Sequence, residues 1–204
     1  MHALKKNIFI MALIAGLATL GGCGGIKVKR TDAGETIDLS GAWNDTDSQQ
    51  VSKEMIDDML EQRWLRVFKQ KNRGKAPTVI VGDIRNLSHE HINTRTFIAD
   101  IERAVINSGE VEFVASKGER GEIREERVDQ DLHSRADTRK AMGQEIGADF
   151  MLQGRINTII DAVKREQVRY YQVDLTLISL KDNRKVWVGQ KKIKKHIEGS
   201  GLRF

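Results

Sequence analysis

The stretch Thr78-Val79-Ile80-Val81-Gly82-Asp83-Ile84 decides how the rest of the chain must fold. It is short, rich in β-branched residues, and bounded by Pro77 on one side and a polar loop, Arg85 to Asn93, on the other. A nearly continuous apolar run of that length predicts a strand buried on both faces. Thr94 can cap a helix behind it, with Phe97, Ile98, Ile101 and Val105 facing inward and Ser108-Gly109 as its stop. Glu110 to Ala115 then alternates as a second strand. Strand, helix and strand in this order predict a right-handed parallel crossover.

Upstream, Thr46 followed by Gln49 fits a capping box, and Asp47 suits the positive end of a helix. Val51, Met55, Ile56, Met59, Leu60, Trp64 and Val67 recur at helical spacing as one broad apolar stripe. Lys69, Lys71, Arg73 and Gly74 suit the end of that helix, and Pro77 forbids its continuation. Trp43, in the segment leading into the helix, reads as a plug that fastens the chain to the core. Downstream, Gly118 to Gln130 is a charged helix whose charges segregate. Glu119, Glu122 and Glu126 share one side, and Arg120, Arg124 and Arg127 share another. That pattern fits a solvated face or a surface for docking a partner protein. Asp137 or Thr138 can cap a further short helix ending near Gly147. Three long β-like segments follow, Asp149 to Ile160, Gln167 to Leu180 and Lys185 to Ile197, with Asp182-Asn183 as a hairpin turn. The fold class is α/β. It is a mixed sheet of about five strands, a crossover followed by an antiparallel three-stranded meander, flanked by helices.

The N-terminus carries a different signal. Lys5 and Lys6 precede a thirteen-residue apolar run, Ile8 to Leu20, too short to span a bilayer and suited to an export signal. Leu20-Gly21-Gly22-Cys23 then makes a lipobox holding the only cysteine of the chain. Small residues admit the peptidase to the backbone, and the thiol carries diacylglycerol as a thioether. The chain therefore divides into a signal peptide (1–22), a lipid anchor and short tether (23–40), a globular domain (41–198) and a frayed tail (199–204). Loss of Lys5 and Lys6 lowers the formal charge from +5 to about +3. That weak charge, without interleaved aromatic and basic residues, gives no reason to expect a nucleic-acid partner. With Cys23 acylated no disulfide is available, so the fold rests on its core.

Candidate catalytic chemistry is sparse. His89 and His91 lie two apart in the loop after the first strand, but no third ligand is near and no metal site is expected. His133 and His196 sit in polar surroundings. There is no nucleophile elbow, P-loop or dinucleotide fingerprint, and the carboxylates occur as charge runs. Lys191, Lys192, Lys194 and Lys195 on the last strand read as a charged edge that resists aggregation. No enzyme activity and no cofactor are expected, beyond covalent N-acyl and S-diacylglycerol groups on Cys23.

Several ordered blocks resemble the LpoB family, lipoprotein activators of bifunctional penicillin-binding proteins. They are Ser40-Gly41-Ala42-Trp43-Asn44-Asp45-Thr46-Asp47-Ser48, Pro77-Thr78-Val79-Ile80-Val81-Gly82 and Arg85-Asn86-Leu87-Ser88-His89-Glu90-His91-Ile92-Asn93-Thr94. Ile106-Asn107-Ser108-Gly109, Arg124-Glu125-Glu126-Arg127, Gly147-Ala148-Asp149-Phe150-Met151-Leu152-Gln153-Gly154 and Lys185-Val186-Trp187 complete the set. The resemblance implies a fold similar to the N-terminal domain of TolB. It also implies an outer-membrane lipoprotein at the periplasmic face that binds and activates a class A penicillin-binding protein, a peptidoglycan synthase. Gly24 is not the aspartate that retains lipoproteins at the inner membrane in enteric bacteria. The charge-segregated helix offers Arg120, Arg124, Arg127, Glu122 and Glu126 as the candidate partner-binding residues, and a monomer is expected. The chain departs from enterobacterial members in its tether, which has no proline and a reach of at most roughly 55 Å. A subunit of a curli-type secretion channel and a non-catalytic envelope scaffold are the alternatives. The first would need lipid-facing strands with alternating apolar positions, and the lysines on both faces of the last strand oppose that.

Overall fold

The computed structural model describes residues 28–32, 34–138 and 145–199. The chain divides into two compact units, residues 1–35 and 36–204. In the first unit, Asp32 closes a turn by accepting from the N–H of Gly34 at 2.7 Å and, through its carbonyl, from that of Glu35 at 3.1 Å.

The second unit is built from α1 (Asp45–Glu61), α2 (Arg63–Lys71), β1 (Thr78–Asn86), α3 (Thr94–Ser108), β2 (Glu112–Phe113) and α4 (Lys117–His133), followed by β3 (Phe150–Val163), β4 (Glu166–Ser179) and β5 (Lys185–Glu198). One five-stranded sheet runs in the order β2-β1-β3-β4-β5. β1 is parallel to both β2 and β3, while β3, β4 and β5 form the antiparallel meander. The mixed α/β class, the parallel crossover and the meander expected from the sequence are all present.

β1 earns its central place from burial, since Thr78 to Val81 are all buried. One face of the sheet supplies Leu152, Ile156, Tyr171, Val173, Leu175 and Leu177 to the core, against Val51, Met55, Ile56 and Met59 of α1 and Phe97, Ile101 and Val105 of α3. The other face carries Arg155, Asn157, Tyr170, Gln172, Asp174 and Gln190, as period-two alternation requires. At Gly154 a Cβ would collide with the backbone carbonyl of Asp174 and with Leu175, so β3 and β4 can approach here only without a side chain. The register between β1 and β3 also shifts next to this residue, between Val81 and Ile84.

Four local expectations are corrected. The helix begins on a capping box of Asn44 and Asp47, not of Thr46 and Gln49. Asn44 accepts from the Asp47 N–H at 2.9 Å, and Asp47 accepts from the Asn44 N–H at 3.0 Å. The single stripe through Val67 is cut in two at Gln62, whose backbone is extended, and the Met59 carbonyl accepts from both the Gln62 N–H at 3.4 Å and Trp64 Nε1 at 2.7 Å. Asn93, not Thr94, caps α3 by accepting from the Arg95 N–H. The second strand shrinks from Glu110–Ala115 to Glu112–Phe113, a short edge strand of the kind that resists further pairing. The short helix expected after Asp137 or Thr138 falls largely on residues 139–144, outside the described residues. The signal peptide, Cys23 and residues 200–204 of the tail lie outside them too.

Candidate functional site

Two charged assemblies stand out on the domain. The first fastens the segment leading into α1. Gly41 takes a left-handed backbone at φ +66°, where a Cβ would also run into Ile197. That turn delivers Trp43 to the core, where its ring meets Phe97 and Tyr171 edge-on with centroids 6.2 and 5.5 Å apart. Its indole N–H donates to Ser48 Oγ at 2.9 Å, so the polar end of the plug is satisfied as well.

Glu90, from the loop after β1, is the hub of this assembly. Its carboxylate accepts from the Trp43 N–H at 3.0 Å, the Tyr171 hydroxyl at 2.7 Å and Arg169 Nη1 at 2.8 Å. The side chains of Glu90 and Arg169 are only 16% and 21% exposed, so these are charge-assisted bonds in a poorly solvated place. Burial pushes the Tyr171 phenol well above its ordinary value, and the neighbouring Glu90 carboxylate pushes it the same way. Tyr171 therefore stays a neutral donor, also reaching the Gly41 carbonyl at 3.2 Å. Lys195 closes the other side, with Asp38 and Asp47 each at 2.7 Å and the Ala42 carbonyl at 3.3 Å. Burial works against the charge on this lysine, but its two carboxylate partners outweigh burial and raise its pKa.

Sequence reading foresaw the plug and missed the hub. Glu90 sits between His89 and His91, and nothing local distinguishes it. His89 instead hydrogen-bonds Thr158 Oγ1 at 3.2 Å through its backbone N–H and its Nδ1, and His91 is exposed. Among the described residues no group of three metal-ligating side chains occurs. The four lysines of β5 split by strand alternation. Lys191 and Lys195 turn toward acids of α1, Glu54 and Asp47, while Lys192 and Lys194 face the opposite way. Trp187 Nε1 adds a 2.8 Å bond to Asp58, so three inward side chains of β5 stitch it to α1.

The second assembly is α4, which holds all five sequence-predicted partner-binding residues. Ser116 and Glu119 form its capping box, with 2.7 Å from the Ser116 N–H to Glu119. None of its residues is buried. Arg124 forks onto Glu145 with two bonds of 2.7 Å. That contact, with Arg120 and Arg127 nearby, holds the Glu145 carboxyl below the usual range. The three arginines thus gather around one acid of the same chain. Glu122 and Glu126 stand exposed on the other side of the helix.

Neither assembly offers a nucleophile with its base, and among the described residues no helix is long and apolar enough to cross a membrane. The class these observations define is a helix-flanked mixed sheet with charged assemblies on its surface. The family model described as peptidoglycan-synthase activator LpoB matches residues 47–193. The chain belongs to the LpoB family. Among solved structures, it is similar to the LpoB C-terminal domain from Salmonella enterica at 12% identity and a TM-score of 0.43, covering 73% of this chain and 99% of that one. The LpoB C-terminal domain from Escherichia coli, also 12% identical, gives 0.37 over 66% of this chain and 100% of that one. A lipoprotein from Neisseria meningitidis, 16% identical, gives 0.37 over 59% and 83%. No curated protein matches the chain. Family membership rests on the family match alone.

Proposed function

We propose that the chain is a lipid-anchored activator of a class A penicillin-binding protein, working without catalytic chemistry of its own. The observation that carries this reading is the family match, which runs from the first helix into the last strand. In this reading Cys23 carries the N-acyl and S-diacylglycerol groups and holds the protein at the periplasmic face of the outer membrane. The domain acts as a monomer that binds the synthase and favours its active conformation. α4 supplies the docking surface, with Arg120, Arg124 and Arg127 on one side and Glu122 and Glu126 on the other. Its segregated charge, on a helix with no buried residue, supports that role.

The test uses the mature lipoprotein in detergent together with the class A synthases of its own host. Binding to one of them, with faster glycan polymerisation, is the expected result. Neither binding nor stimulation with any of them overturns the reading. The anchor is tested separately: growth with a clickable palmitate analogue should label the protein, and Cys23→Ser should abolish the label. Undiminished labelling of the variant would overturn the anchor assignment.

A further inference from the structure

We infer that the groove at the start of β5 is a docking site for an extended acidic peptide segment of a partner protein, one carrying an aromatic or aliphatic side chain among its carboxylates. The groove is a cavity of about 640 Å³ between α2, the first residues of β3 and the β4–β5 turn. That lies within the range of about 300–1,000 Å³ usual for ligand pockets. Its floor is apolar. Phe150 is packed edge-on by Trp64 at 5.1 Å and by Phe68 at 5.5 Å, and Val67 and Val186 extend the surface. The Trp64 N–H is already bonded to the Met59 carbonyl, so this ring offers the groove only apolar contact.

The rim is cationic. Lys71, Lys181 and Lys185 come from three different elements and stand exposed around the opening. The acids of the same wall are engaged elsewhere. Asp149 accepts from the Thr78 N–H at 2.9 Å, and Asp182 holds Arg184 at 2.6 and 2.8 Å. Hydrogen bonding by Arg184 takes the Asp182 carboxyl down to about 2. Among the described residues no carboxylate lies within 4.0 Å of the three lysine ammoniums, whereas nearby Lys69 is paired with Glu110. Unpaired positive charge around an apolar floor has an anionic, amphipathic complement. The opening is concave, so a peptide side chain can reach the aromatic floor and a bilayer surface cannot. The inference stands apart from the synthase reading, and either can fail alone.

The test is fluorescence anisotropy of the full chain with a labelled, end-capped octapeptide that alternates glutamate with phenylalanine and leucine. Saturable binding is expected, about tenfold weaker for a glutamine-for-glutamate peptide and about tenfold weaker for the K71Q/K181Q/K185Q variant. The thermal transition of that variant should not move, because all three side chains are exposed. Should it unfold, Lys181→Glu in the turn gives the same reading from one position. No binding, or equal binding by the lysine variants or of the glutamine peptide, overturns the proposal. Preference for phosphatidylglycerol vesicles over the peptide, lost in the same variants, overturns it in favour of a membrane surface.

Discussion

Glu90 shows at the scale of one residue what local sequence patterns do not carry. Its partners Trp43 and Tyr171 lie 47 and 81 positions away in the chain, so no periodicity or spacing links them. Trp43 was legible because a large aromatic beside a helix start, in an otherwise polar segment, has few places to go except the core. A glutamate between two histidines reads as a surface residue until the sheet brings Arg169 and Tyr171 to it. Glu90→Gln is the sharp test. The amide nitrogen must face either the Trp43 N–H or the Tyr171 and Arg169 donors, so one donor–donor contact replaces a charge-assisted bond. A loss of about 2 kcal/mol in urea unfolding is expected. A change within experimental error would show that the hub does not stabilise the fold.

Elements with strong periodicity were legible, and their joints were not. The alternation of Tyr171, Val173, Leu175 and Leu177 placed β4 and its buried face correctly, because strand register follows from a period of two. The break at Gln62 has no glycine or proline to announce it. The apolar stripe continues through it because Trp64 turns back to satisfy the Met59 carbonyl. The expected box of Thr46 and Gln49 lost to Asn44 and Asp47, a pairing that also lets Asp47 meet Lys195 and Ser48 meet Trp43. α4 makes the complementary point, since its charge pattern was readable while its orientation was not. Arg124 is held by Glu145, an exposed pair of the kind that adds little to stability. Replacing Arg120, Arg124 and Arg127 with glutamine should therefore leave the melting temperature nearly unchanged. If α4 docks the synthase, it should weaken binding about tenfold or more in a titration. Unchanged affinity would return the helix to the role of a solvated face.

For the molecule as a whole, the two faces of the sheet set its response to acid. On the open face burial works against the Asp174 charge, but hydrogen bonds from Gln190, Gln172 and Arg155 outweigh it and hold the carboxyl below its ordinary value. A carboxyl lowered by folding stabilises the native state above its unfolded pKa, and that contribution disappears as pH falls through the folded value. Unfolding free energy should therefore decline below the ordinary carboxylate range, and Asp174→Asn should flatten part of the decline in a pH series of denaturation curves. An unchanged slope would remove Asp174 from the account. The fastening around Trp43 has a mechanical consequence at the same scale. Tension applied to the chain ahead of Asp38 is resisted first by Lys195 and Glu90, not by the stacked core of α1 and α3. These bonds can yield while the sheet keeps every rung. Peeling back as far as Ala42 would free a segment of about 16 Å at full extension, while Trp43 stays seated against Phe97 and Tyr171.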